Sequence, residues 1–247
     1  MIKSFRLRYF FGHLLISLLI ALVSLYLVFF VWYPTPFDVA VGVEQIILIM
    51  LGIDVTLGPL LTLVLAKEGK KGLKFDLVVI AIVQLLALFY GLYSVEKGRP
   101  VWVAFDHSRF ELVQKFMIDR EKDKDVKVPP AYQKEGFGSP SWVSVRPPKD
   151  REEQDDWMFY ELETGTSPAM RPALYAPLSE NMDRVIQEKL PLSDLNNFND
   201  KSMIDPILAK YPNADGFLPM RASEVDMTVL VDSKDKTFIK VVDLRPW

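Results

Sequence analysis

The run Val43–Leu65 reads VEQIILIMLGIDVTLGPLLTLVL and is followed at once by the lysine-rich loop AKEGKKGLK (66–74). As a helix it is long enough to cross a bilayer, since about 20 residues cover about 30 Å of hydrocarbon. One carboxylate, Asp54, lies at its centre, and Pro59 follows five residues later. An ionisable side chain at mid-membrane costs about 3 kcal/mol on insertion scales. Asp54 must therefore meet a polar partner or carry a proton. The stretch marks a membrane protein and points to helix contacts more than to catalysis.

Two further apolar runs flank it. The first, Phe11–Trp32, follows Lys3, Arg6 and Arg8 and ends in Trp32-Tyr33-Pro34. It is too long for the apolar part of a cleaved signal peptide and lacks a small-residue cleavage site, so it reads as an uncleaved anchor. The third, Leu77–Tyr93, ends on Tyr90 and Tyr93, which suit an interfacial aromatic belt together with Trp32 and Tyr33. The expected spans are about 11–33, 43–65 and 77–94. Basic residues flank them unevenly: three before the first span, none between the first two, and Lys67, Lys70, Lys71 and Lys74 between the second and third. The positive-inside rule then places the N-terminus and the lysine loop in the cytoplasm, with everything from about Arg99 outside.

Composition supports a chain in two parts. Of 247 residues half are hydrophobic, yet a quarter are charged, a combination unsuited to one globular domain. Residues 1–98 hold 8 of the 29 Lys and Arg and 6 of the 32 Asp and Glu, which leaves 21 and 26 for residues 99–247, a net charge of −5. A mildly acidic domain argues against nucleic acid as a partner, because phosphate binding needs a basic footprint. The absence of cysteine removes disulfides, thiol nucleophiles and thiolate metal sites, and two histidines cannot build a histidine cluster.

Residues 99–247 read as an α+β domain with an antiparallel sheet and helices between the strands. Strands are expected at 101–105, 110–116 and 142–145, and a closing hairpin at 227–231 and 237–242. Helices are expected at 150–163, with Trp157, Tyr160 and Phe159 turned to a core, at 179–190 behind an Ser179 cap, and at 203–210. The charge run 119–127 reads as a solvated face. Asp194–Asp200 has the acid and amide density of a calcium loop, but Phe198, Asn199 and Asp205 stand where such a loop needs an oxygen ligand, a glycine and a glutamate. It reads as an Asn/Asp-rich turn.

The candidate partner-binding residues all lie on the second span: Asp54, with the small-residue step Gly52-x-x-x-Thr56, Gly58 one turn on, and Pro59. Asp54 either meets a polar group of another transmembrane helix or bonds within the chain, for instance to Gln84. Pro59 frees the carbonyl of Val55 and should kink the helix. Ala87 and Gly91 form a second small-residue step suited to packing within the chain. His13 reads as a headgroup-level polar residue. No nucleophile elbow, zinc-protease helix, phosphate loop or dinucleotide fingerprint is present, and His107 alone is thin support for a catalytic serine. The reading is non-catalytic, without metal or cofactor.

The blocks FGHLLISLLIALVSLYLVFFVWYP (11–34), GVEQIILIMLGIDVTLGPLLTLVLAKEGKKGLKFDL (42–77) and YGLYSVEKGRPVWVAFDHSRFELV (90–113) resemble the TfpX/TfpZ family of type IV pilin accessory proteins. The likeness continues more loosely through SWVSVRPP (141–148), RPALYAPL (171–178) and the closing Arg245-Pro246-Trp247. It implies an inner-membrane protein that works with the major type IV pilin of its own strain and modulates pilus assembly, with no catalytic residue and no cofactor. A membrane-anchored ligand-sensing or regulatory subunit is the alternative, against which the short cytoplasmic parts count. An enzyme is the other, and it would require a pocket that gathers acids around His107.

Overall fold

The computed structural model describes residues 2–247; Met1 and the side chains of residues 2–4, Lys3 among them, lie outside the described residues. The chain forms two compact units. One comprises residues up to Pro34 with Gly42–Lys97, and the other Thr35–Val41 with Gly98–Trp247.

The first unit is built from three long helices. They are α1 (Ile2–Tyr26, extended by a wider turn over Leu27–Trp32), α3 (Val43–Leu65) and α4 (Leu73–Gly98). All three are long and apolar enough to cross a membrane. Helix α3 has the bounds its apolar run predicts and continues through Pro59. Helices α1 and α4 begin before their apolar runs and α4 ends beyond its own. Hydropathy marks the stretch that suits hydrocarbon, whereas charged residues such as Arg6, Lys74 and Lys97 extend a helix without breaking it. Most of the surface is apolar and exposed, as in Val23, Ile49 and Phe89, and suits lipid.

Backbones of α1 and α3 approach closely, while α4 stands further off. Side chains bridge that gap. Gln84 of α4 lies where a side chain at Gly58 would stand, and Met50 of α3 fills the space above Gly91. Both glycines thus serve packing within the chain, by letting a neighbouring helix's side chain reach the backbone. The Tyr33 hydroxyl donates to the carbonyl of Val95 at 2.6 Å and ties the end of the first helix to α4.

The second unit holds a seven-stranded sheet in the order β4-β3-β1-β2-β5-β6-β7. The strands are β1 (Pro100–Asp106), β2 (Arg109–Gln114), β3 (Ser141–Val145), β4 (Tyr175–Pro177), β5 (Gly216–Arg221), β6 (Met227–Asp232) and β7 (Thr237–Val242). The two hairpins, β1–β2 and β6–β7, form as their sequences predict. The sheet is mixed, however, because β1 pairs with β3 and β2 with β5 in parallel. Parallel pairs need long connections, and nothing local in the sequence announces them. Strand β5, unforeseen, carries Pro219; β2 meets β5 only at Met220 and Arg221, so no ladder partner on that side requires an N–H from the proline.

Both faces of the sheet are covered. Alternate residues of β1 divide between two cores, Val103 and Phe105 on one side, Trp102 and Ala104 on the other, as the two-residue strand period requires. Helix α5 (Arg151–Thr164) buries Trp157 in the second core; Phe159 points outward, contrary to expectation. The expected helix behind Ser179 begins with a tight turn at Leu178–Asn181 and becomes α6 only at Met182–Gln187. Helix α7 covers Lys201–Leu208 and contributes Ile204 to a third core with Leu195, Phe217 and Leu230.

The connection between the first two apolar helices is part of this domain. Its short helix α2 (Phe37–Val41) inserts Phe37 and Ala40 into the core with Phe105, Phe110 and Leu218. The amides of Glu224 and Val225 both donate to the carbonyl of Ala40, at 3.1 and 3.2 Å.

Candidate functional site

Helix geometry divides the five residues singled out on α3. Ile47, Leu51, Gly58 and Thr62 recur at helical spacing and are buried, and Pro59 is buried beside them. Gly52 and Thr56 lie on the opposite, exposed face. Nothing occupies the space beside Gly52, and the Thr56 hydroxyl turns back to the carbonyl of Gly52 at 2.7 Å. The outward small-residue step is thus open, whereas Gly58 is already covered by Gln84.

Asp54 is half-buried beside Ile47 and Gly58, about 160° around the helix from both Gly52 and Thr56. The amide of Gln84 donates to its main-chain carbonyl at 2.9 Å. The sequence suggests a bond between these residues, and the structure forms it to the backbone and not to the carboxylate. Asp54 Oδ2 and Gln84 Oε1 are both buried and have no hydrogen-bond partner among the described residues. Both residues line a cavity of about 110 Å³ together with His13 and Ser17, among apolar walls that include Ile16 and Leu88. His13 is more than a headgroup-level residue: its Nδ1 lies 2.6 Å from Oγ1 of the buried Thr62, joining α1 to α3. Nothing in the sequence singled out that pair, since α1 also carries Ser17 and Ser24 and α3 also carries Asp54 and Thr56.

In the C-terminal domain a cleft of about 290 Å³ opens beside the β1–β2 turn, lined by Asp106, His107, Arg109, Asp155, Trp157 and Glu161 among others. His107 adopts a left-handed conformation (φ 53°) in that turn, and its Nδ1 lies 2.9 Å from Asp106 Oδ1. That hydrogen bond raises the imidazole pKa above its ordinary value. Burial, with Glu111 nearby, raises that of Glu161. The cleft therefore does gather acids around His107, but no serine or threonine hydroxyl bonds the imidazole among the described residues. An aspartate–histidine pair without a nucleophile on it can bind or titrate, and falls short of the triad geometry.

Charges elsewhere in this domain are structural. The run at 119–127 turns two of its acids inward. Asp123 takes a bidentate bond from the buried Arg171, 2.8 Å at each contact, and Asp119 accepts from Tyr160 at 2.6 Å. Buried Glu111 accepts from Ser167 and faces Arg109 and Arg221. The Asn/Asp-rich segment is a turn, as read: Asn199 bonds the carbonyls of Leu195 and Arg245 and accepts from the Arg245 amide at 2.7 Å. Among the described residues no group of three or more His, Asp or Glu is placed to hold a metal ion.

Comparison with known proteins places these features. Residues 3–42 match the family described as fimbrial assembly protein FimB. Two fimbrial assembly proteins of Dichelobacter nodosus, of serogroups I and E1, are each 31% identical over 183 residues, covering 73% of this chain and 70% of theirs. A third from the same organism, of serogroups C1 and C2, is 38% identical over 105 residues, 42% of this chain and 80% of its own. No solved structure matches the chain. The match agrees with the accessory family that the sequence blocks resemble. With this likeness running over more than two thirds of both chains, the protein belongs to the fimbrial assembly protein family.

Proposed function

We propose that this protein is a non-catalytic accessory factor of type IV pilus assembly, which sits in the inner membrane and binds the major pilin of its own strain. The observation that carries the reading is the 31% identity over 183 residues to proteins named for fimbrial assembly. Three apolar helices supply the anchor. The basic residues at the N-terminus and in the 66–74 loop support a cytoplasmic N-terminus, with the C-terminal domain in the periplasm.

In this reading the pilin's transmembrane helix packs on the open face of α3, against Gly52 and Thr56, where the absence of bulk permits close approach. Asp54 lies about 160° around α3 from both residues, so a polar group reaches it from the side of α1 and α4 and not from that face. Gly58 and Pro59, covered within the chain, act by shaping the back of the same helix. The C-terminal domain recognises the pilin's globular part and holds or delivers the subunit, as a chaperone-like factor would. A ligand-sensing subunit is the second reading, and the observation in its favour is the cleft beside His107.

The test is affinity capture of pilin by the full chain in mild detergent, with the strain's own major pilin and a foreign one in competition. Selective retention of the cognate pilin is expected. No capture, or equal capture of both, overturns the proposal.

A further inference from the structure

The geometry points to the cavity at Asp54 as a receptor for a single ammonium group carried by a partner transmembrane helix. The inference goes beyond the pilin-binding reading: the cavity opens between α1 and α4, away from Gly52 and Thr56, and it is defined by the chemistry that it selects.

Three oxygen-bearing side chains line the cavity: Asp54, Gln84 and Ser17. Asp54 Oδ2 and Gln84 Oε1 are buried acceptors with nothing donating to them among the described residues. Buried polar atoms are nearly always partnered, so two orphans on neighbouring residues of one cavity wall need an explanation. Both lack a donor, and so the occupant must bring hydrogens. An ammonium has three N–H donors and no acceptor, which suits acceptors that lack a donor, and its charge answers a carboxylate. The one imidazole on the cavity, His13, is already engaged by Thr62.

The cavity reaches the surface. Its walls include Ile16 of α1 and Leu85 of α4, 58% and 41% exposed, at the side where α4 stands away from α1. A carboxylate satisfied within its own chain would need no such opening. At about 110 Å³ the space holds more than one water-sized group, enough for the end of an amine-bearing side chain or a chain terminus. Asp54 is the twelfth of the 23 residues of α3. At 1.5 Å per residue it lies about 16 Å from either end of the helix, too deep for a lipid headgroup amine. The ammonium must arrive on a helix.

The experiment uses the full chain in lipid nanodiscs and a synthetic 23-residue apolar helix labelled for energy transfer, with either one lysine or one methionine at its centre. The lysine helix should associate about tenfold more tightly, the scale of an interhelical polar contact made in hydrocarbon. That preference should disappear in Asp54→Asn, survive in Asp54→Glu and weaken in Gln84→Leu. Equal binding of the two helices to the unaltered chain would overturn the proposal whatever the variants do; it is the result expected if protonated Asp54 donates to Gln84 instead. A preference that persists in Asp54→Asn would overturn it too. Cognate pilin capture without the lysine preference would sink this inference and spare the pilin reading. The reverse result would spare the ammonium site and sink the pilin.

Discussion

Replacing Phe37 by alanine tests whether the connection between the first two apolar helices is a structural piece of the C-terminal domain. Phe37 is 8% exposed and packs with Phe105, Phe110 and Leu218. Truncating a buried phenylalanine removes its transfer free energy and leaves a cavity, about 3–5 kcal/mol in well-packed cores. Phe37 lies at the rim of its core, and we expect the lower end, about 3 kcal/mol. Against a typical total of about 5–15 kcal/mol, that is a large loss. The measurement is guanidinium unfolding of the full chain in detergent, read by tryptophan fluorescence. Phe159→Ala is the control; Phe159 is 63% exposed on α5, and its loss should change stability by no more than about 0.5 kcal/mol. Phe37→Ala should also speed hydrogen exchange at the Glu224 and Val225 amides, which donate to Ala40. A cost below about 1 kcal/mol, with those amides still protected, would refute the docking of α2.

Three further outcomes follow from particular contacts. Arg146 holds the Glu153 carboxyl at about 2 through two hydrogen bonds of 2.6 and 2.9 Å. A depressed carboxyl stabilises the fold above its unfolded value, near 4.5, and that stability is lost as pH falls towards 2. Both partners are partly exposed, so Glu153→Gln should cost only about 1 kcal/mol at pH 7, and the two unfolding curves should converge near pH 2; a gap independent of pH would contradict this. Asp106→Asn should lower the pKa of His107 towards its ordinary value, because the Asp106 hydrogen bond is the main cause of its rise. The chain has two histidines, so a proton NMR titration reads that shift directly, and an unmoved His107 would remove Asp106 as its partner. Gly58→Leu drives a side chain into Gln84 and should cost about 1–3 kcal/mol by overpacking. Gly52→Leu enters open space and should leave thermal stability in detergent unchanged, so equal losses would refute the assignment of inner and outer faces.

The apolar helices were legible because length and hydropathy state directly what lipid requires, and α3 has the bounds read from its run. The two hairpins were legible for a similar reason, since their pairing is local. The parallel pairs β1–β3 and β2–β5 join residues far apart in sequence, and no local pattern encodes them. Strand β1 hid its alternation because both of its faces are buried. The docking of α2 rests on two small apolar contacts in a nine-residue loop, too brief a signal to separate from a simple connector. In the candidate site the residues were visible and their facing was not. Gly52 and Gly58 look equivalent as letters, yet six positions at 100° per residue set them about 120° apart around one helix, open and covered respectively. The pairing of His13 with Thr62 needed the third dimension, as did the carboxylate that Gln84 approaches without bonding.

Photo-crosslinking from α3 in cells that make the strain's own major pilin tests the central claim most directly. A photoreactive residue at Thr56, on the open face, should give a pilin adduct, and one at Leu51, which is buried, should give none. An adduct at Thr56 that is lost when a foreign pilin replaces the cognate one is the predicted result. Absence of any pilin adduct from Thr56 and from Gly52, in a chain that is present and folded, would contradict the account.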